Sequence, residues 1–186
     1  VKALAVFKDR LPEEVIKDIA GRLRDDDWEV REATVKVLAK LGNRLPEDVI
    51  KAIAARLRDD EGYVREATVE ALVKLGDRVP EEVIKAIAAR LRDDDEDVRG
   101  AAVKALAKLG DRVPEEVIKD IAGRLRDDYW MVRAAAVEAL TVFKDRVPEE
   151  VIKDIAGWLR DDKWYVRESA YRTLKIFYES GVSLPG

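Results

Sequence analysis

The 186-residue sequence contains no cysteine and no histidine. These absences exclude disulfides, thiolate nucleophiles, imidazole metal sites and histidine acid–base catalysis, and with them most familiar active sites. No apolar run of about 18 residues occurs, and no leader segment is visible, so neither a membrane span nor an address is expected. A soluble, cytoplasmic chain is the default reading. Aromatics make up 6% of the residues, and the formal charge of −4 comes without any Lys/Arg-rich block. Affinity for phosphates comes from clustered cations, so nucleic acid is not an expected partner.

Charge of both signs is abundant instead, at 40% of the chain. Interspersed Lys, Arg, Asp and Glu are the composition of helices laced with surface ion pairs, which favours an all-α fold. Proline falls at 12, 46, 80, 114 and 148, a constant spacing of 34, and each opens nearly the same phrase, from PEEVIKDIAGRLRDD to PEEVIKDIAGWLRDD. Internal repetition of this kind marks a repeat array. The units are 11–44, 45–78, 79–112, 113–146 and 147–180, with a partial unit at 1–10 and a tail at 181–186, all within one continuous repeat domain, 1–186.

Within a unit, Pro12 suits the first turn of a helix, and Glu13 and Glu14 lie against the positive end of its dipole. Val15, Ile16, Ile19, Ala20 and Leu23 form one stripe of 3.6-residue period. Asp25, Asp26 and Asp27 interrupt the pattern and offer caps to a second helix, predicted over 28–41, whose apolar set is Val30, Thr34, Val37, Leu38 and Leu41. Gly42 suits the position after its end. Short connections predict antiparallel packing of consecutive helices. One hairpin buries too few aliphatic side chains to offset the entropy of ordering 34 residues, so stability must come from stacking.

Period 34 is shared with tetratricopeptide repeats, but their tryptophan, leucine-glycine and tyrosine pattern is missing. The recurring set Asp25, Val30, Arg31, Ala33 and Leu38, repeated as Asp59/Val64/Arg65/Ala67/Leu72 and onward, resembles the HEAT repeat, in particular the short HEAT-like type of phycobilisome lyases. The fifth copy departs from it at Ser169. The resemblance implies a right-handed α-solenoid of antiparallel helix pairs, with first helices convex, second helices concave, and the Asp and Arg linking neighbouring turns. It also implies protein binding rather than catalysis. The units are longer than the short type, which suggests an extra turn in the first helix.

Five copies in one chain can be compared with each other. After each double aspartate stand Asp27-Trp28-Glu29, Glu61-Gly62-Tyr63, Asp95-Glu96-Asp97, Tyr129-Trp130-Met131 and Lys163-Trp164-Tyr165, no two alike. Three of the four tryptophans fall at one repeat position. Ligand contact, packing between adjacent loops and drift are the three readings. Drift delivers mostly polar residues, and large amphipathic rings are the currency of binding hot spots, so ligand contact is preferred. The candidate protein- or peptide-binding residues are Trp28, Tyr63, Tyr129, Trp130, Met131, Glu138, Trp164, Tyr165 and Arg172, centred on repeats four and five, where Val142 and Ile176 replace lysines. No catalytic residue, metal or cofactor is expected. The acidic runs lack the spacing of a calcium loop, and no carboxylate pair stands out as a glycosidase site.

Further expectations follow. Lys36, Glu70, Lys104, Glu138 and Arg172 alternate in sign and predict a ladder of pairs between stacked helices. Ile19, Leu23, Val30 and Leu38 and their equivalents should be buried. A lone helix at about 1–8 should leave Val1, Leu4, Val6 and Phe7 partly covered. Tyr171, Ile176, Phe177 and Tyr178 should expose apolar surface, giving self-association through the repeat ends or a parent protein that continues at the N-terminus. The alternative function is a purely structural or engineered scaffold without a specific natural ligand; an enzyme of the lyase or glycosylase type is third.

Overall fold

The computed structural model describes residues 11–182; the expectations for Val1, Leu4, Val6, Phe7 and a helix at 1–8 lie outside them. Ten α-helices and no strand occur among the described residues. The chain divides into two compact units, Val1–Ala86 and Ile87–Gly186.

In the first unit, α1 (Glu13–Gly21), α2 (Trp28–Ala39), α3 (Glu47–Ala55) and α4 (Gly62–Val73) are followed by the start of α5 (Glu81–Ala89). The second helices α2 and α4 pack side by side, and each lies on its own first helix. Ile16, Leu23, Val35, Leu38, Ile53, Leu57 and Leu72 are sealed between them. The second unit holds the rest of α5, then α6 (Glu96–Leu109), α7 (Glu115–Gly123), α8 (Trp130–Leu140), α9 (Glu149–Gly157) and α10 (Trp164–Glu179). Here α6, α8 and α10 form the row of second helices, backed by α7 and α9.

The first helices differ from expectation. Each proline is the extended residue preceding the helix (Pro12 φ −60°, ψ 151°) rather than part of its first turn. The α-helix is then only nine residues long, without the extra turn suggested by the repeat length. Leu23 and its equivalents sit in a separate 3-10 turn, Arg22–Arg24, Arg56–Arg58, Arg90–Arg92 and Arg124–Arg126. Tightening the last turn satisfies carbonyls that an α-helix leaves open, and it swings leucine into the core. Leu23, Leu57, Leu91 and Leu125 are buried there.

Helix α2 stops at Ala39, earlier than the predicted 41, because the chain turns through Lys40 and Leu41 into a second 3-10 turn, Gly42–Arg44. The turn needs glycine: Gly42, Gly76 and Gly110 have φ of 52°, 53° and 53°. At the fourth such turn Lys144 replaces glycine, and Phe143 takes φ −99°, ψ 13°, so the backbone reroutes without a positive φ. Capping by the acidic run is partial. Asp27 and Asp95 accept backbone N–H bonds at their helix starts, whereas Glu61, Tyr129 and Lys163 at the same position provide no side-chain cap.

The burial expectations hold for the interior repeats and fail at the edges. Ile19 and Val30 are only half-buried, while Ile53 and Val64, which pack on a preceding repeat, are sealed. Leu159 is 41% exposed although Leu125 is 1% exposed. Phe177, expected at the surface, is fully buried. It occupies the position of Leu41, Leu75, Leu109 and Phe143, all of them core residues. Tyr171, Ile176 and Tyr178 are exposed, as expected.

Candidate binding site on the second helices

The turn that opens each second helix is held by one arginine. Arg31 donates from Nη1 to the carbonyls of Asp25 and Asp26, then reaches forward to the next repeat, where its Nε and Nη2 bind Asp59 at 3.0 and 2.7 Å and Nη2 binds Asp60 at 2.8 Å. In the second unit Arg99 does the same to Asp127 and Asp128, and Arg133 to Asp161 and Asp162. The expected link between neighbouring turns is therefore present within each unit, running from Arg31, Arg99 and Arg133 to the following repeat's aspartates. Burial opposes the charge of Asp127, but hydrogen bonds from Arg99 and the Tyr129 N–H outweigh it and hold the carboxyl below its ordinary value. Asp59 and Asp161 are held down by the same balance.

A second arginine series went unrecognised in the sequence. Arg78 donates to the carbonyls of Gly42 and Leu45 one repeat back, and Arg146 donates to that of Val113. The phrase DRVP carries the signal: an arginine at fixed distance from the helix-opening proline. Trp158 was also missed. It stands where other repeats have Arg22, Arg56, Arg90 or Arg124, and the Arg133 guanidinium lies 5.8 Å from its ring centre.

These turns fix the starts of the second helices, and hence the variable triplets. In the first unit Trp28 stacks on Tyr63, with ring centres 5.3 Å apart. In the second, Trp130 stacks on Tyr165 at 4.9 Å, and Trp164 lies against the same tyrosine at 3.6 Å. Packing between repeats is thus part of what the aromatics do. It does not consume them: Tyr63 is 60% exposed, Trp164 55% and Tyr165 47%. A mostly water-exposed ring on a helix start adds little to the helix's own core.

Between α8 and α10 lies an open groove of about 340 Å³ whose lining includes Trp130, Met131, Glu138, Trp164, Tyr165 and Arg172. Six of the nine candidate residues therefore meet in one place. Tyr129 sits beside Trp130, 6.3 Å between ring centres, but does not line the groove. Trp28 and Tyr63 form their own pair in the first unit. Val142 lies beyond the end of α8, and neither it nor Ile176 lines the groove.

The polar groups are oriented by the protein itself. Ser169 Oγ donates to Glu138 at 3.0 Å, and Thr173 Oγ1 donates to the Val137 carbonyl at 3.1 Å, so side chains of α10 bond to α8 across the repeat boundary. Arg172 pairs with Glu168 one turn back at 2.7 Å. Lys36 likewise pairs with Glu32. The rungs predicted within each unit are not formed: no ion pair joins Lys36 to Glu70 in the first, or Glu138 to Lys104 or Arg172 in the second. An i,i+4 partner on the same helix costs less ordering than one on a neighbouring helix and takes Lys36 and Arg172 first.

A family model described as HEAT repeats matches residues 1–73, 50–141 and 121–183. No curated protein matches the sequence. Among solved structures, the chain is similar to the complex of CpcE and CpcF of phycocyanin lyase from Nostoc sp. PCC7120, at 21% identity and TM-score 0.71, over 93% of this chain and 67% of that one. It is similar to a designed armadillo repeat protein in complex with the peptide (KR)4, at 17% identity and TM-score 0.65, over 95% and 90%. It is also similar to an engineered protein, at 22% identity and TM-score 0.56, over 95% and 87%. At these identities the likeness establishes the fold, an α-solenoid of stacked helix pairs.

Proposed function

The chain belongs to the HEAT-repeat family, and from that premise we propose that it is a non-enzymatic scaffold whose second-helix face holds a protein segment, with the α8–α10 groove as its binding centre. One observation carries the reading. Trp164, Tyr165 and Met131 remain 55%, 47% and 41% exposed around this groove, at repeat positions that Glu96 and Asp97 fill with charge in the third repeat. Large stiff rings at a water-exposed repeat position suit an apolar side chain or one face of an amphipathic helix, and Glu138 and Arg172 supply polar register. A protein partner is consistent with the neighbours: the designed armadillo protein holds a peptide, and the phycocyanin lyase structure is a complex of two different chains.

A second reading is a structural or engineered scaffold with no specific ligand. It is favoured by the near-identity of the five first-helix phrases and by the likeness to an engineered protein. A peptide-display selection on the immobilised chain separates the two. Binding predicts enriched amphipathic sequences that are lost when the bait is the Trp130→Ala, Trp164→Ala double variant. A scaffold without a ligand predicts no enrichment over that variant.

A further inference from the structure

The two units differ in how their first helices are tied to one another. In the second unit Arg92 reaches forward to Asp120 of the next repeat at 2.7 Å, and Arg126 reaches Asp154 at 3.0 Å. The equivalent arginines of the first unit are Arg24 and Arg58, and the positions equivalent to Asp120 and Asp154 hold Ala52 and Ala86. Both arginines are exposed, and neither has a carboxylate partner among the described residues. The vacancy is interior to the chain: the following repeats are present and carry alanine where aspartate would serve. Between α1 and α3 lies an open groove of about 410 Å³ whose lining includes Ala20, Ala52 and three cations, Lys17, Arg24 and Arg56, against one carboxylate, Asp48. Lys17 is held by Glu13 at 2.7 Å and lies 3.9 Å from Asp48, while Arg56 pairs with Asp59 at 3.4 Å. Arg24 is left as the cation of this groove without a counter-charge among the described residues.

We propose that the first-helix face of the first unit binds an acidic segment of a partner protein, whose carboxylates take at Arg24 and Arg58 the places that Asp120 and Asp154 hold in the second unit. The chemistry is set by the molecule's own pairs: an arginine at this register is satisfied by a carboxylate where the fold supplies one. A single exposed ion pair adds little, so a ligand with one carboxylate would not be retained. Two such sites one repeat apart reinforce each other when one segment spans them. Neighbouring helices lie roughly 8–10 Å apart and an extended chain rises about 3.3 Å per residue, so acidic side chains about two to four residues apart reach both arginines. The small side chains of Ala20 and Ala52 let the segment approach the floor of the groove. The surface lies in the first unit and the α8–α10 groove in the second, so neither reading depends on the other.

The probe is a fluorescein-labelled hexaglutamate peptide, titrated with the full chain at low ionic strength and followed by anisotropy. The parent is compared with the double variants Arg24→Gln/Arg58→Gln, Ala52→Asp/Ala86→Asp and Arg92→Gln/Arg126→Gln, with circular dichroism confirming equal helical content. The first removes the free arginines, the second fills the vacancy from within, and the third removes arginines that are already paired. All three change the net charge by the same amount. The expected result is a Kd weaker by about tenfold or more in the first two variants, from the loss of two pairs acting together, and nearly unchanged in the third. No binding by the parent, or a Kd that the first two variants leave unchanged, would overturn the site. Equal weakening in all three would show a response to net charge alone and would overturn it as well. Citrate held as tightly as the peptide, with the same losses, would overturn the protein segment in favour of a small polycarboxylate. A thymidine hexanucleotide held more tightly than the peptide would overturn carboxylate recognition in favour of phosphate.

Discussion

Arg99 reaches across a repeat boundary to Asp127, its Nε and Nη2 each 2.9 Å from one carboxylate oxygen, while its Nη1 binds the carbonyls of Asp93 and Asp94. One side chain thus closes its own turn and fastens the next. Removing it leaves Asp127, with 2% of its side chain exposed, only the longer 3.4 Å pair with Arg124 and the Tyr129 N–H to offset its buried charge. Arg99→Ala is expected to cost about 3 kcal/mol, the usual penalty for breaking a buried pair from one side. Urea unfolding checks this, and an unchanged midpoint would remove the pair from the account of stability.

Acid should find the same weakness. Asp59, Asp127 and Asp161 are held below the ordinary carboxylate value in the folded chain. The folded state then binds fewer protons than the unfolded one through that range, so the stabilisation is complete above the unfolded value and is lost as pH falls through the folded one. Stability is therefore expected to hold down to about pH 4 and decline below it. Arg99→Ala should flatten the decline, as measured by thermal midpoints at stepped pH.

Gly110, at φ 53° and ψ −125°, adopts a backbone conformation that L residues avoid. No neighbouring atom lies within 4 Å of an added Cβ, so steric crowding is not the obstacle. Gly110→Ala is accordingly expected to cost about 1–3 kcal/mol through backbone strain alone. A circular-dichroism melt of this single variant decides it; stabilisation would show that the turn can reroute as it does at Lys144.

Much of the fold was legible because five phased copies state the same pattern. The apolar stripes and the helix pairs could be read from spacing, and the link between Arg31 and the aspartates from the family resemblance. What escaped were features set by tertiary geometry. Leu23 looks like the last residue of a helical stripe, yet it sits in a 3-10 turn that aims it inward. Phe177 looks like surplus surface until it is counted in register with Leu109. The Lys36–Glu70 and Glu138–Arg172 rungs fail because Glu32 and Glu168 take those cations one turn away. At the candidate site, sequence placed Trp130, Met131, Trp164 and Tyr165 on one row, but it could not show that Trp130 would spend one ring face on Tyr165.

That division of labour makes a prediction. Trp130 is half-buried and stacked, whereas Trp164 is 55% exposed. Trp130→Ala should lower stability by about 1 kcal/mol through the lost ring pair, while Trp164→Ala should leave it within about 0.5 kcal/mol. Guanidinium unfolding curves of the two single variants separate them. Equal losses would mean that both tryptophans serve packing.

The most direct measurement is the affinity of a display-selected amphipathic peptide for the parent chain and for Trp164→Ala, by isothermal titration, with circular dichroism confirming the same helical content. Binding at the α8–α10 groove predicts at least a thirtyfold weaker Kd for the variant, the loss of one hot-spot side chain at about 2 kcal/mol. Equal Kd values for two equally folded proteins would contradict the groove as the binding site.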